Sequence, residues 1–134
     1  MLLKTLRLAP FGATLLFALL GTGAALAQPA ADAASVNKGK RLYMRCAACH
    51  DTGDTGPARI GPHLKGLVGR PMGSVAGYKY SPAMKAKSLV WDEAQLNAWL
   101  TRPTDVVPGT TMAFIGMPDA AERKALIDYL RTVK

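Results

Sequence analysis

Five consecutive residues hold both cysteines of this chain and one of its two histidines: Cys46-Ala47-Ala48-Cys49-His50. Four chemistries use such a cluster. A structural zinc site needs four ligands, usually from two clusters, and here only His63 is left, in a different context. A thioredoxin-like pair follows a strand and opens a helix within a βαβ pattern, yet no strand-rich segment precedes Cys46. A disulfide between cysteines three apart closes a very small loop and restrains the unfolded chain little. The fourth chemistry is covalent attachment of a c-type haem. Each thiol then adds to a vinyl group as a thioether, and the adjacent histidine becomes the proximal ligand of the iron. The pentapeptide favours haem over the other three, and the rest of the chain has to position it.

The N-terminus reads as an export signal. Lys4 and Arg7 precede an apolar stretch, and Ala25-Leu26-Ala27 supplies small residues for cleavage after Ala27. The competing reading is an uncleaved anchor, because the apolar stretch approaches the length of a membrane span; Gly21 and Gly23 interrupt it and favour cleavage. Residues 1–27 are thus read as a cleavable signal peptide, 28–36 as a disordered leader and 37–134 as the folded domain. The mature chain has about 107 residues, enough for one small domain. Cleavage removes two of the 17 basic residues and none of the 9 acidic ones, so the formal charge falls from +8 to +6. A basic surface suits acidic partners. The basic residues are scattered and form no nucleic-acid motif, so nucleic acid is not expected, and membrane contact is expected to be transient at most.

The elements that must position the cluster are helical. Ser35 is placed to cap a first helix running through Cys49, with Leu42 and Tyr43 inward. Ser81-Pro82 opens a short helix through about Lys87. Asp92 and Gln95 open another, stopped by Pro103, with Leu96, Trp99 and Leu100 on one face. Asp119 and Glu122 open the last, whose inward stripe is Leu126, Ile127, Leu130 and Val133. Between these lie Gly- and Pro-rich loops over 51–77 and 106–118. Loops so long are usually functional or disordered. A bound haem accounts for them by supplying a flat apolar core that a small chain lacks.

These motifs, in this order, resemble class I c-type cytochromes of the mitochondrial and bacterial c2 type over nearly the whole mature chain. "GKRLYMRCAACH" resembles the family's first helix and haem-binding run. "IGPHLKGLVGR" resembles the proximal loop and "GYKYSPAM" the segment under the propionates. "VPGTTMAFIGM" resembles the loop of the distal ligand and "ERKALIDYLR" the closing helix. The pairing of CxxCH with PGTxM-x-F-x-G about sixty residues later is very specific.

The resemblance implies an all-α class I cytochrome c fold, helices and long loops wrapped around one haem c. Cys46 and Cys49 would carry the haem, and His50 and Met112 would bind its iron. Pro62 would accept the second imidazole N–H, fixing the tautomer and raising the histidine's basicity. Arg70, Tyr80 and Trp91 would reach the propionates, with Trp99 and Thr110 also against the haem. Of the six methionines only Met112 follows Pro108-Gly109-Thr110, and Met117 is the serious competitor. Gly39 and Tyr43 would meet Leu126 and Tyr129 where the terminal helices cross. Trp99 and Met84 replace a family tyrosine and asparagine, making the distal side less polar. Thr104, Asp105 and Thr111 stand where mitochondrial members place docking lysines.

With both axial positions filled, the implied function is one-electron transfer and not catalysis. The expected protein is a monomeric periplasmic carrier shuttling between a dehydrogenase or bc1-type complex and a terminal oxidase or reductase. Its partners would present acidic docking faces, met mainly from the side of the first helix and Arg45. The alternatives are a dedicated haem subunit of one periplasmic dehydrogenase and a peroxidase-like haem enzyme with an open sixth position.

Overall fold

The computed structural model describes residues 31–53 and 59–134. The expected signal peptide and the first residues of the leader lie outside them. Among the described residues five helices follow in order: α1 Ala33–Tyr43, α2 Pro82–Lys85, α3 Glu93–Thr101, α4 Pro103–Val106 and α5 Ala120–Thr132. Among the described residues there is no strand, only one antiparallel bridge joining Pro71 to Val90. The all-α expectation holds.

Local chemistry sets most boundaries. Ser81, Asp92 and Asp119 each turn a side-chain oxygen onto the N–H three residues on, capping α2, α3 and α5 as the sequence predicts. At α1 the cap is Asp32, which accepts from the Ser35 N–H at 2.6 Å, so the helix begins inside the segment expected to be a disordered leader. Ser35 is drawn elsewhere: its hydroxyl donates at 2.7 Å to Asp128 of α5. The regular part of α1 also ends early, at Tyr43, and the cysteines sit on turns held by bonds such as His50 N–H to Cys46 O at 2.9 Å. Pro103 stops α3, as expected, and then starts α4, a short helix that the sequence reading does not include. Its missing N–H makes it suited to the first helical position.

The frame is α1 crossing α5. A Cβ on Gly39 would lie 1.9 Å from Ala125 O and 2.7 Å from Tyr129 Cβ, so only glycine permits this approach. One turn on, the Tyr43 and Tyr129 rings pack at 5.6 Å. Leu126, Ile127 and Leu130 of α5 and Leu96, Trp99 and Leu100 of α3 close the core. Beneath the crossing Asp128 is fully buried. It accepts from Ser35 of α1 and from Lys124, while Arg131 links it to Glu93 of α3. Burial pulls the Asp128 carboxyl up, but bonds from Lys124 and Ser35 outweigh this and hold it below the usual carboxylate value.

Candidate haem site

His50 is fixed on both of its polar sides. Its Nδ1 lies 2.7 Å from Pro62 O, and its own carbonyl accepts from the Tyr43 hydroxyl at 2.7 Å. The ring is stacked on backbone: a Cβ on Gly61 would sit 2.3 Å from Cε1 and 2.9 Å from Nε2. Gly61 is held there by its N–H to Cys49 O at 2.8 Å. With Nδ1 occupied by a carbonyl, Nε2 is the nitrogen left to bind something else.

Two adjoining hollows meet at this ring. The larger, about 210 Å³, is drawn mainly from three stretches of chain, with Ile60 and Trp99 added singly. Residues 45–50 bring Cys46, Cys49 and His50, residues 78–84 bring Tyr80 and Met84, and the loop over 110–114 brings Thr110, Met112 and Phe114. The smaller, about 70 Å³, is a recess among Leu64, Leu67, Trp91, Leu96, Leu100 and Leu126. Cys46, His50, Trp99 and Met112 line both. Trp91 and Trp99 pack edge to face at 5.3 Å along this wall. No disulfide joins Cys46 to Cys49, and burial pushes the Cys46 thiol above the ordinary thiol value. A thiol kept protonated is a poor redox nucleophile, which argues against a disulfide-exchange centre.

Most of the residues singled out from sequence therefore converge. Cys46, Cys49, His50, Tyr80, Trp99, Thr110 and Met112 line the larger hollow, Trp91 lines the recess, and Pro62 holds His50. Arg70 does not line either. Its guanidinium donates to Lys65 O at 2.8 Å and His63 O at 2.9 Å, bracing the loop that carries Pro62. Tyr80 lines the hollow, while its hydroxyl accepts the Val75 N–H at 3.3 Å and burial raises its pKa. The rival Met117 is 2% exposed, packed in the core, and lines neither hollow. Tyr43 was expected only at the helix crossing; its bond to His50 O has no signal in residue spacing.

A model of the family described as cytochrome c matches residues 36–134. This chain is a member of the cytochrome c family. It is 37% identical over 130 residues to a cytochrome c2 of Rhodomicrobium vannielii, covering 97% of each chain. A cytochrome c of Gibberella zeae is 44% identical over 97 residues, 72% of this chain and 92% of the relative. Among solved structures, cytochrome cH from Methylobacterium extorquens superposes with a TM-score of 0.67 at 40% identity, covering 72% of this chain and 97% of that one.

The cofactor is accordingly haem c, covalently held and with iron, and the protein is an electron-transfer cytochrome, not an enzyme. The residues fit it. A flat apolar macrocycle joined to two thiols needs those thiols on the wall, a histidine with its outer nitrogen anchored, and a leucine- and tryptophan-lined floor. All of these are present around the two hollows that share Cys46, His50, Trp99 and Met112.

Proposed function

We propose that the chain is an exported one-electron carrier whose haem iron is bound by His50 and Met112. The observation that carries this is that an imidazole with only Nε2 unengaged and a thioether border the same two hollows, with both cysteines on the wall. When bound, the haem supplies an iron that changes valence by one electron. The residues supply the rest. Pro62 O, by accepting from Nδ1, makes the imidazole a stronger donor and fixes its tautomer. The Met112 thioether is a soft ligand that favours the reduced state, raising the potential. Trp91, Trp99 and the leucines exclude water, so little solvent has to reorganise when charge changes.

Export rests on the basic, apolar and Ala-x-Ala pattern over residues 1–27. Among the described residues no helix is long and apolar enough to cross a membrane. Arg45 and Ile60 border the larger hollow, Ile60 being 79% exposed, and a partner docks there with apolar contact beside positive charge. The Arg45 charge is shared with Glu122 at 3.3 Å, which tempers the steering expected from this side.

The test is exposure of the reduced native protein to carbon monoxide, with intact mass measured alongside. A carrier with both axial positions filled keeps its spectrum, and its mass equals Gln28–Lys134 plus one haem. Rapid carbon monoxide binding would instead point to a haem enzyme with an open position, and a retained N-terminus to a membrane-anchored cytochrome.

A further inference from the structure

The loop that presents Met112 is weakly held around the methionine. Its bonds there are local: Met112 N–H to Thr110 Oγ1 at 3.3 Å, and Phe114 N–H to Met112 O at 3.0 Å. Ile115 is 95% exposed. The firm attachments come just afterwards. Met117 N–H donates to Leu100 O at 2.7 Å. Gly116, at φ 111°, lies so close to α3 that a Cβ would meet Thr101 O at 2.1 Å.

Over this end of the loop α5 places a guanidinium. Arg123 is 8% exposed, and its described partners are all neutral oxygens. Nε donates to Asn97 Oδ1 of α3 at 2.8 Å, and Nη1 donates to Met117 O and Pro118 O, both at 2.7 Å. Burying a cation costs free energy unless its donors are satisfied. These charge-assisted bonds offset that cost, and they tie three pieces of chain together: α3, α5 and the methionine loop. An apolar residue of the same size would fill the space but would grip neither carbonyl. A lysine would bring a single nitrogen where the fork reaches two directions.

We propose that Arg123 is the positioning residue for Met112: by fastening the far end of the loop to α3 and α5, it sets how readily the thioether leaves the iron. This rests on the reading of Met112 as distal ligand. Met112 lies five residues before the nearest clamped carbonyl, so when the clamp loosens the segment from Thr110 to Met117 is left with its local bonds and the single bond from Met117 N–H to Leu100 O. Release of the methionine then becomes more frequent while the proximal side, built on other segments, is undisturbed.

The experiment uses the oxidised holoprotein and imidazole as an external ligand, which binds only when Met112 has left. Arg123→Lys should speed imidazole binding by about tenfold or more, from the loss of one or two hydrogen bonds of a charged group. Exchange of the Met117 amide should accelerate with it. Asp128→Asn is the control for general loosening, since it weakens α5 on its other face. At a matched loss of denaturant stability it should leave the imidazole rate within about twofold. Should Arg123→Lys fail to fold, Asn97→Ala removes one neutral acceptor of the same fork and should raise the rate by a smaller factor. Equal acceleration by the Arg123 and Asp128 variants, or none with Arg123→Lys, overturns the positioning role. The ligand reading is tested separately in Met112→Ala: there imidazole should bind fast with or without the Arg123 change. Slow binding to Met112→Ala would mean that the ligand assignment has failed.

Discussion

Replacing Gly61 with alanine puts a methyl group against the face of the His50 ring. The added Cβ would lie 2.3 Å from Cε1, 2.6 Å from Nδ1 and 2.9 Å from Nε2, whereas carbon atoms in ordinary contact keep about 3.5 Å. The ring or the backbone must therefore move by more than about 1 Å. Neither is free to do so. Gly61 N–H is bonded to Cys49 O at 2.8 Å, and Pro62 O accepts from the ring at 2.7 Å. Overpacking of this kind costs about 1–3 kcal/mol, and a site tied on both sides belongs at the upper end, so a loss of about 3 kcal/mol is expected. A weakened Nδ1–H bond also makes the imidazole a poorer donor, so the reduction potential should rise. Gly77→Ala is the comparison. Nothing lies within 4 Å of its Cβ and only its φ of 74° opposes the change, which costs about 1 kcal/mol and leaves the potential unaltered. Denaturant unfolding and voltammetry on the three holoproteins decide it. Equal losses for the two variants with unchanged potentials would refute the stacking of His50 on Gly61.

The Asp128 carboxyl lies below its ordinary value in the folded protein, so its contribution is full above the usual carboxylate range and is lost as pH falls through the folded value. Asp128→Asn should cost about 2 kcal/mol at neutral pH and flatten the acid limb of the stability curve, measured by denaturant titration at several pH values; an unchanged acid limb would remove Asp128 from the account. At the mouth of the larger hollow, Arg45→Glu should slow electron transfer with an acidic partner more than Lys134→Glu. Glu122→Gln, which frees the Arg45 charge, should speed it, and salt should shrink all three differences as the Debye length falls from about 10 Å at 0.1 M. Stopped-flow rates that respond equally to the two reversals would mean that net charge alone matters.

Legibility in the sequence followed the range of the interaction responsible. The caps at Ser81, Asp92 and Asp119 are contacts three residues long, and each appears where residue type places it. The cap of α1 was misplaced by three residues because Ser35 is a competent cap that a residue 93 positions away, Asp128, engages instead. Pro103 reads as a stop, and its second role as the first residue of α4 depends on how α3 ends in space. At the site, CxxCH and the Pro-Gly-Thr-x-Met run marked the residues that converge. Arg70 has the right charge for a propionate, and its two bonds to backbone carbonyls across the proximal loop have no signal in residue spacing. Tyr43 over His50 O and Arg123 over the methionine loop were not foreseen, since both act across turns that pattern reading leaves shapeless.

The central claim, that the Met112 thioether would bind the haem iron together with His50, is tested most directly by the oxidised spectra of Met112→Ala and Met117→Ala. Iron bound to a thioether shows a sulfur-to-iron band at the red end of the visible range. Met117 is buried in the core, so its truncation should cost about 2–5 kcal/mol of stability and leave the band in place. Met112→Ala should abolish the band. A spectrum in which Met112→Ala keeps the band and Met117→Ala loses it would contradict the account.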